Sequence, residues 1–262
     1  MMRALPILLG IAAAAAAQTE TALPEQLRGV GIDQLLNEAV PLDAGFVDES
    51  GGRIALGSLF RGKPVVLAFV YYECPMLCNM QLNGLLRAMR AISLTAGDQF
   101  DVLTVSFDPR ETPAQAAAKK QQYIRQYGRA GAERGWRFLT GDQPSIERLT
   151  RAAGFRYTFD SKSGQWAHAS GVMLLTPGGR LARYLYGVEF SARDLRLGLV
   201  EASRGRIGSP VDKMLLYCFH YDPLRGRYGV AILNVVRAAG VATLLALCGF
   251  WGLMYRRSRR PG

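Results

Sequence analysis

Two cysteines separated by three residues are the first chemically informative feature of the sequence. The segment reads Cys74-Pro75-Met76-Leu77-Cys78 and follows an apolar run, residues 64–71, that predicts a strand buried on both faces. Because a helix is predicted to begin at Met76, the second thiol lies about one helical turn after the first, and both sulfurs face the same way. Such a pair can bind a soft metal ion, copper(I) or zinc(II), or close a disulfide.

A histidine far along the chain is the candidate for a third ligand. The sequence contains only two histidines, His168 and His220, which excludes any site built on several imidazoles. His168 precedes an apolar run, residues 171–175, that predicts a strand. In a thioredoxin-like fold the loop before that strand packs against the cysteine turn. Two thiolates and one imidazole suit copper, while a structural disulfide between the cysteines stays open as the alternative.

The elements that would position these residues alternate along the chain. Strands are predicted at residues 64–71, 101–107, 136–139, 171–175 and 180–186, and helices at 76–92, 112–127, 144–153 and 191–201. The last two strands are joined by Thr176-Pro177-Gly178-Gly179, which predicts a hairpin. This order indicates an α/β fold of the thioredoxin-like kind, with a central mixed sheet flanked by helices. Ligands bind such sheets at the carboxyl ends of their strands, where the first cysteine lies.

Both ends of the chain predict membrane targeting. Residues 1–17 combine Arg3, a short apolar stretch and an alanine run, the parts of a cleaved signal peptide, with an N-terminal anchor as the alternative. Residues 230–255 are interrupted by a single charge, Arg237, and predict a transmembrane helix, with a buried core helix as the alternative. Because the tail at 256–262 carries four arginines, and positive residues stay on the cytoplasmic side, we expect a single-pass inner-membrane protein. Its domain would face the periplasm and its C-terminus the cytoplasm.

Composition and charge limit the remaining organisation. The chain has 262 residues, of which 49% are hydrophobic and 20% charged, which suits one domain with appendages and argues against a disordered protein. The basic tail explains part of the net charge of +11, so we expect no nucleic-acid partner. Between the ends we expect an extended lead-in at 18–50, a folded domain at 51–202 and a connector at 203–229.

Three motifs, in order along the chain, resemble the SCO/SenC family. They are the stretch from Phe69 to Cys78, the segment from Val105 to Pro113 with its Asp-Pro and Thr-Pro pairs, and His168 ahead of residues 172–175. The resemblance implies a thioredoxin-like fold and copper, as Cu(I) or Cu(II), bound by Cys74, Cys78 and His168. It also implies that the two cysteines cycle between dithiol and disulfide, and that the protein assists assembly of the binuclear copper centre of cytochrome c oxidase.

The same resemblance implies partners and reveals departures. The partners would be a copper-accepting subunit of cytochrome c oxidase or of a related copper enzyme, and a thioredoxin-like reductant. Asn79 stands where many family members have proline, Ala167 stands where an aspartate is common, and the Asp-Pro…Thr-Pro segment is a residue short. These departures leave the three ligands intact and concern the groups behind them.

Four further residues are candidate contributors. Asp108 follows the strand next to the cysteine strand, and we expect it near the copper loop as a group behind the ligands or a partner contact, with a simple Asp-Pro turn as the alternative. Glu73 precedes Cys74 and can tune the thiolates, unless it is merely exposed. If their segment is extended, Cys218 and His220 point to one face, which makes them a speculative second metal site or partner contact, with packing against the domain or the bilayer as the alternative.

Other functions fit only parts of this pattern. A periplasmic thiol–disulfide oxidoreductase would use the same two cysteines and would not require His168. A peroxidase needs an arginine and a threonine beside its thiolate, a pattern that is not found around Cys74, and the seven residues after Tyr255 leave little room for a sensor's cytoplasmic domain. The sequence therefore favours a membrane-tethered copper metallochaperone, with the oxidoreductase as its alternative.

Overall fold

A computed structural model describes residues 29–161, 163–208, 221–222, 227–228 and 239–251 of the chain. The chain separates into two compact units, one at 29–220 and one formed by 1–28 and 221–262. In the second unit, β11 (Tyr221–Asp222) pairs antiparallel with β12 (Arg227–Tyr228), and residues 239–251 are helical. All other elements belong to the first unit.

A seven-stranded mixed sheet forms the centre of the first unit, in the order β10-β9-β4-β5-β6-β2-β3. Strands β4, β5 and β6 run parallel, whereas β9 pairs antiparallel with β4. Every residue of β4, β5 and β9 is buried, as expected for strands covered on both faces. The strand bounds are β2 (Gly45–Asp48), β3 (Arg53–Ala55), β4 (Val65–Val70), β5 (Asp101–Ser106), β6 (Trp136–Thr140), β9 (Gly171–Leu175) and β10 (Leu181–Tyr186).

Helices follow the strands of the sheet. They are α1 (Leu77–Ala91), α2 (Pro113–Tyr127), α3 (Ala132–Gly135), α4 (Gln143–Ala152) and α5 (Ala192–Ser203), with a 3-10 helix at Leu56–Leu59. Helix α1 contacts both α2 and α5. Helix α2 begins as its sequence predicts, since the Thr112 hydroxyl accepts the Gln115 N–H and Pro113 occupies the first turn.

A second, three-stranded sheet lies beside the cysteine turn. It has the order β1-β7-β8 and consists of β1 (Gly31–Ile32), β7 (Phe155–Asp160) and β8 (Gln165–His168), all antiparallel. Its aromatic residues attach it to the first sheet, because Phe155 stacks on Phe69 with ring centroids 4.8 Å apart and Tyr157 packs on Phe107 at 4.7 Å. This sheet carries His168 at the end of its edge strand.

The mixed α/β fold, with a central sheet flanked by helices, fits the thioredoxin-like prediction, and each predicted strand and helix has a counterpart within a few residues. Two regions differ. The first unit begins at Gly29, so β1 and β2 fall in the predicted lead-in at 18–50, where frequent turn residues conceal these short strands. The β7–β8 hairpin was not predicted, because its strands pair with each other rather than with the strands of the central sheet.

The predicted targeting segments fall largely outside the described residues. This applies to the signal peptide at 1–17, to most of the connector at 203–229, and to the tail at 256–262. Within the predicted span at 230–255, residues 239–251 form a helix. Among the helices that the structure describes, none combines the length and the apolar character that a membrane crossing requires.

Candidate metal centre

The two cysteines lie in the turn between β4 and α1. Met76, the residue before α1, offers no side-chain acceptor to the free N–H groups of the first helical turn. The Cys74 sulfur takes that role and accepts the Cys78 N–H at 3.3 Å, while the Cys78 sulfur accepts the Tyr71 N–H at 3.4 Å. Both thiols are buried and are not joined by a disulfide. The helix start thus places two sulfurs where backbone donors stabilise negative charge.

His168 completes a cluster of three possible ligands. Its Nε2 lies 3.3 Å from the Cys78 sulfur, and the two sulfurs and one imidazole nitrogen all lie within 4.8 Å of one another. Its Nδ1 lies 2.9 Å from the Ala169 carbonyl oxygen. Because a carbonyl can only accept, Nδ1 carries a proton, which leaves Nε2 to face the sulfurs. The sequence placed His168 in a loop, whereas it ends strand β8.

Aromatic rings enclose the imidazole. Phe107, Tyr71 and Phe155 lie around His168 with ring centroids 5.1, 5.9 and 6.2 Å away. These rings limit the positions that the imidazole can take and keep water from much of its surface. The ligand cluster is therefore buried, with only 9% of His168 exposed and less of either cysteine.

The two thiols have opposite acid–base character. A hydrogen bond from Cys78, which outweighs the effect of burial and is assisted by His168 and two backbone N–H groups, lowers the pKa of Cys74 to about 3. Burial, together with the hydrogen bond to Cys74, raises the pKa of Cys78 above its usual range. In the metal-free dithiol, Cys74 is thus the thiolate and Cys78 the proton donor. A sulfur of this kind is both a soft ligand and a nucleophile.

Asp108 reaches the cluster indirectly. It is buried, and its Oδ2 accepts the Trp166 indole N–H at 2.8 Å, two residues before His168 in β8. Arg110 donates to both carboxylate oxygens, at 2.8 and 2.6 Å. Burial acts to raise the pKa of Asp108, but the bonds from Arg110 and Trp166 outweigh it and hold that pKa below its usual value. The structure thus connects Asp108 to the strand that carries the imidazole.

Glu73, by contrast, is exposed, and its side chain accepts the Gln115 amide N–H at 2.5 Å. A different carboxylate, which the sequence did not single out, supports the cysteine turn. Glu111 is buried and accepts the backbone N–H of Glu73 at 2.8 Å and the Ser106 hydroxyl at 2.5 Å. Burial raises the pKa of Glu111. This acidic residue therefore holds the peptide that precedes Cys74.

Gln81 is a second residue that the sequence analysis did not identify. Its side chain is fully buried, and its amide donates to the Phe69 carbonyl at 3.3 Å and to the Gly171 carbonyl at 3.1 Å. Its own oxygen accepts the Ser170 hydroxyl at 2.9 Å. A glutamine among the apolar core positions of α1 is the sequence signal that could have indicated it, because a buried amide must be bonded.

At two positions where the sequence departs from the pattern it resembles, the structure shows what the residue of this chain does. Asn79, in the place of proline, donates to the Cys74 carbonyl at 3.1 Å and accepts from Lys119 at 2.8 Å, which ties the cysteine turn to α2. Next to Ala167, in the place of aspartate, the imidazole uses a backbone carbonyl as its Nδ1 partner. Cys218 and His220, the speculative second site, lie outside the described residues.

Comparison with known proteins associates the chain with one family. The SCO1/SenC family model matches residues 45–197. Among solved structures, a protein from Aquifex aeolicus VF5 shares 27% sequence identity over 65% of this chain and 95% of its own, with a TM-score of 0.57. No curated protein matches the chain.

Two further solved structures have informative names. BsSco, a member of the Sco family of cytochrome c oxidase assembly proteins in which a disulfide switch was identified, shares 21% identity over 66% of this chain and 97% of its own, with a TM-score of 0.51. ScoI from Arabidopsis thaliana, solved with copper bound, shares 23% identity over 62% of this chain and 96% of its own, with a TM-score of 0.49.

Proposed function

Since this chain belongs to the SCO1/SenC family, we propose that it is a copper metallochaperone that binds copper through Cys74, Cys78 and His168. It would assist assembly of the copper centre of cytochrome c oxidase. The observation that carries the proposal is the convergence of two sulfurs and one imidazole nitrogen within 4.8 Å, from residues up to 94 positions apart. Soft thiolates select Cu(I), and imidazole is also a good copper ligand.

The donor set fits a metal that must be released. Zinc in structural sites takes four ligands, whereas the described residues bring three together here. Copper held by three ligands can accept a fourth from a partner, so it can pass by ligand exchange to acceptor thiols. Pro75 and Met76, between the two cysteines, are exposed, which gives a partner access to the turn. We propose the copper-accepting subunit of cytochrome c oxidase, or of a related copper enzyme, as that partner.

A metal count tests the ligand set. The full chain is purified in its reduced form, loaded with Cu(I) or Cu(II), and freed of loosely bound metal; copper per chain is then measured with a competing chelator. We expect about one copper in the wild type, no tight copper in Cys74→Ser or Cys78→Ser, and affinity lowered by about tenfold or more in His168→Ala. Full loading of either cysteine variant would refute the proposed site.

Cys218 and His220 require a control, because they are also soft donors. The double variant Cys218→Ser with His220→Ala should keep its copper if the three-ligand site acts alone. A loss of copper or of oxidase assembly in this variant would instead support the second site or partner contact. The comparison therefore assigns the bound metal to one set of residues.

A thiol–disulfide oxidoreductase that reduces the acceptor's cysteines is the second candidate. The asymmetry of the two thiols favours it, because a thiolate at Cys74 is a ready nucleophile and Cys78 can resolve the mixed disulfide. A thioredoxin-like reductant would then restore the dithiol. His168 distinguishes the two functions: oxidase assembly in cells that survives His168→Ala intact would favour the reductase, whereas its loss favours copper binding.

The location that we propose is the inner membrane, with residues 1–17 removed, residues 230–255 as the single span and the copper-binding unit in the periplasm. The apolar composition of 230–255 and the arginines that follow support this orientation. Membrane fractionation tests it. We expect the full chain to remain with membranes after washing in carbonate, and a chain ending at residue 208 to be released as a soluble protein.

A further inference from the structure

His168 depends on a hairpin that lies outside the central sheet. In the described part of the chain, β8 pairs with β7 alone, and His168 is its last residue, opposite Tyr157. An edge strand with a single partner is held less firmly than the central strands. The position of the imidazole relative to the sulfurs is therefore set by whatever fastens β8 to the rest of the unit.

Besides the packing of Phe107 on Trp166 and His168, polar and cation–π contacts fasten β8 to the loop before α2. The Trp166 indole N–H donates to Asp108 at 2.8 Å, and Asp108 is itself fixed by hydrogen bonds from the backbone and the guanidinium of Arg110 to its carboxylate. The Arg110 guanidinium lies over the rings of Phe159 and Trp166, 5.1 and 5.8 Å from their centroids. We call Asp108, Arg110, Phe159 and Trp166 the clasp, since they join β7 and β8 to a separate loop.

The chain is also fixed on the other side of His168. The Ser170 hydroxyl lies 2.9 Å from each of two acceptors, the side-chain oxygen of the buried Gln81 of α1 and the Gly187 carbonyl oxygen. Trp166 and Ser170 each stand two residues from the imidazole. With the Ser170 side anchored to the helix that carries Cys78, the remaining freedom of His168 is a swing of the hairpin, which the clasp opposes together with the rings around the imidazole.

We propose that Trp166, through its hydrogen bond to Asp108, is a positioning residue that holds His168 within reach of the two sulfurs. The proposal deepens the proposed function, and only its copper measurement rests on that function. Trp166 makes no described contact with either cysteine, so its effect must pass through β8. Breaking its hydrogen bond should change the imidazole while the cysteine turn stays as it is.

The first experiment needs no metal. Trp166→Phe keeps an aromatic ring against Tyr157 and Phe159 but removes the indole N–H. Trp136→Phe is the matched control, because the Trp136 indole N–H also donates to a side chain, Thr104 at 2.9 Å, and Trp136 is the first residue of β6, at the end of the parallel strands opposite the cysteine turn. The imidazole signals of the reduced full chain are followed by NMR. Because the chain contains two histidines, the signals that disappear in the His168→Ala variant are assigned to His168.

We expect Trp166→Phe to shift or broaden the His168 signals and Trp136→Phe to leave them in place, even if both variants lose similar thermal stability. Asp108→Ala breaks the same bond from its other end and gives an independent variant should the first one fold poorly. In the double variant, Asp108→Ala combined with Trp166→Phe, the His168 signals should be the same as in Trp166→Phe alone, because the hydrogen bond is already broken. Unchanged His168 signals in both single variants would overturn the proposal.

The second experiment measures copper affinity in a double-mutant cycle. We expect Trp166→Phe to weaken copper binding about tenfold in the wild-type background and to have no effect in the His168→Ala background, because it acts through the imidazole. Equal weakening in both backgrounds would overturn the proposal. If the wild type binds no copper, the proposed function fails, and the NMR comparison alone decides the role of Trp166.

Discussion

At the scale of single residues, the difference between the two sulfurs is the main chemical property of the site. Both cysteines are buried, yet Cys74 receives hydrogen bonds from the helix start and from Cys78, whereas the Cys78 thiol is buried more deeply. One negative charge is therefore shared within the pair and held on the Cys74 side. This arrangement suits a site that must bind a cation without confining two full negative charges in a buried turn.

This asymmetry predicts how the metal-free protein reacts with iodoacetamide. Because the pKa of Cys74 is lowered to about 3, its thiolate fraction is constant from pH 5 to pH 8, and its alkylation rate should be nearly independent of pH. Cys78, whose pKa is raised, should remain unmodified in the folded protein. Mass spectrometry of quenched samples gives both rates. A Cys74 rate that rises about tenfold per pH unit, as for an ordinary thiol, would contradict the shift.

At the scale of elements, α1 must lie close enough to the segment after β10 to place Cys78. Gly84 permits this approach, since a Cβ at that position would come 1.8 Å from the Val188 carbonyl oxygen. The Val188 backbone cannot shift to make room for this Cβ, whereas the end of a flexible side chain could. The glycine is therefore required by contact between two elements, not by an unusual backbone conformation of its own.

We expect Gly84→Ala to lower the free energy of unfolding by about 3 kcal/mol or more. The matched control is Gly198→Ala in α5, where the new Cβ would meet the end of the buried Leu174 side chain at 2.3 Å instead of backbone. Its cost should be smaller, because the end of a side chain can shift whereas the Val188 backbone cannot, while the gain in helix propensity is the same at both helical positions. Urea denaturation of both variants checks the order. If both variants lost the same free energy of unfolding, the contact with the Val188 backbone would not be the reason that Gly84 is required.

Much of the fold was accessible from the sequence, for reasons that are visible in particular elements. The continuous apolar run of β4 and the Thr112-Pro113 start of α2 are local signals, and the structure contains both elements. The β7–β8 hairpin alternates apolar and polar residues. No local pattern, however, predicts that its two strands pair with each other or that its aromatic rings pack on Phe107. The contact of His168 with Cys78 was foreseen from the fold, whereas the clasp and the roles of Gln81 and Glu111 depend on side chains that meet only after folding.

At the scale of the whole unit, a group of charges fastens β2, the strand between β6 and the edge strand β3, to the sheet. Asp48 and Glu49, at the end of β2, receive hydrogen bonds from Arg137 of β6 at 2.8 Å each, and Lys120 of α2 donates to Glu49 at 2.5 Å. Burial acts to raise the pKa of Asp48, but bonds from Ser50 and Gly52 and the charge of Arg137 outweigh it and keep that pKa below 3.8.

The sign of this shift predicts a response to acid. A carboxyl group whose pKa is lowered by folding stabilises the protein above its unfolded pKa, and this contribution is lost as the pH falls through the folded value. We therefore expect Asp48→Asn to lower the free energy of unfolding by about 1–2 kcal/mol at pH 7 and to lessen its decline between about pH 5 and pH 3. Urea denaturation at several pH values measures both. Asp98→Asn, at an exposed carboxylate, should change neither.

The burial of Cys78 gives the site an inner and an outer side. Cys78 is only 1% exposed, whereas Pro75 and Met76, in the turn between the two cysteines, are exposed to solvent. An incoming thiol can therefore reach Cys74, which is 5% exposed, before it reaches Cys78. A metal ion leaving this site would thus break its bond to Cys78 last. Transfer would then occur in ordered steps, and the most deeply buried sulfur would stay bound until the acceptor has already coordinated the ion.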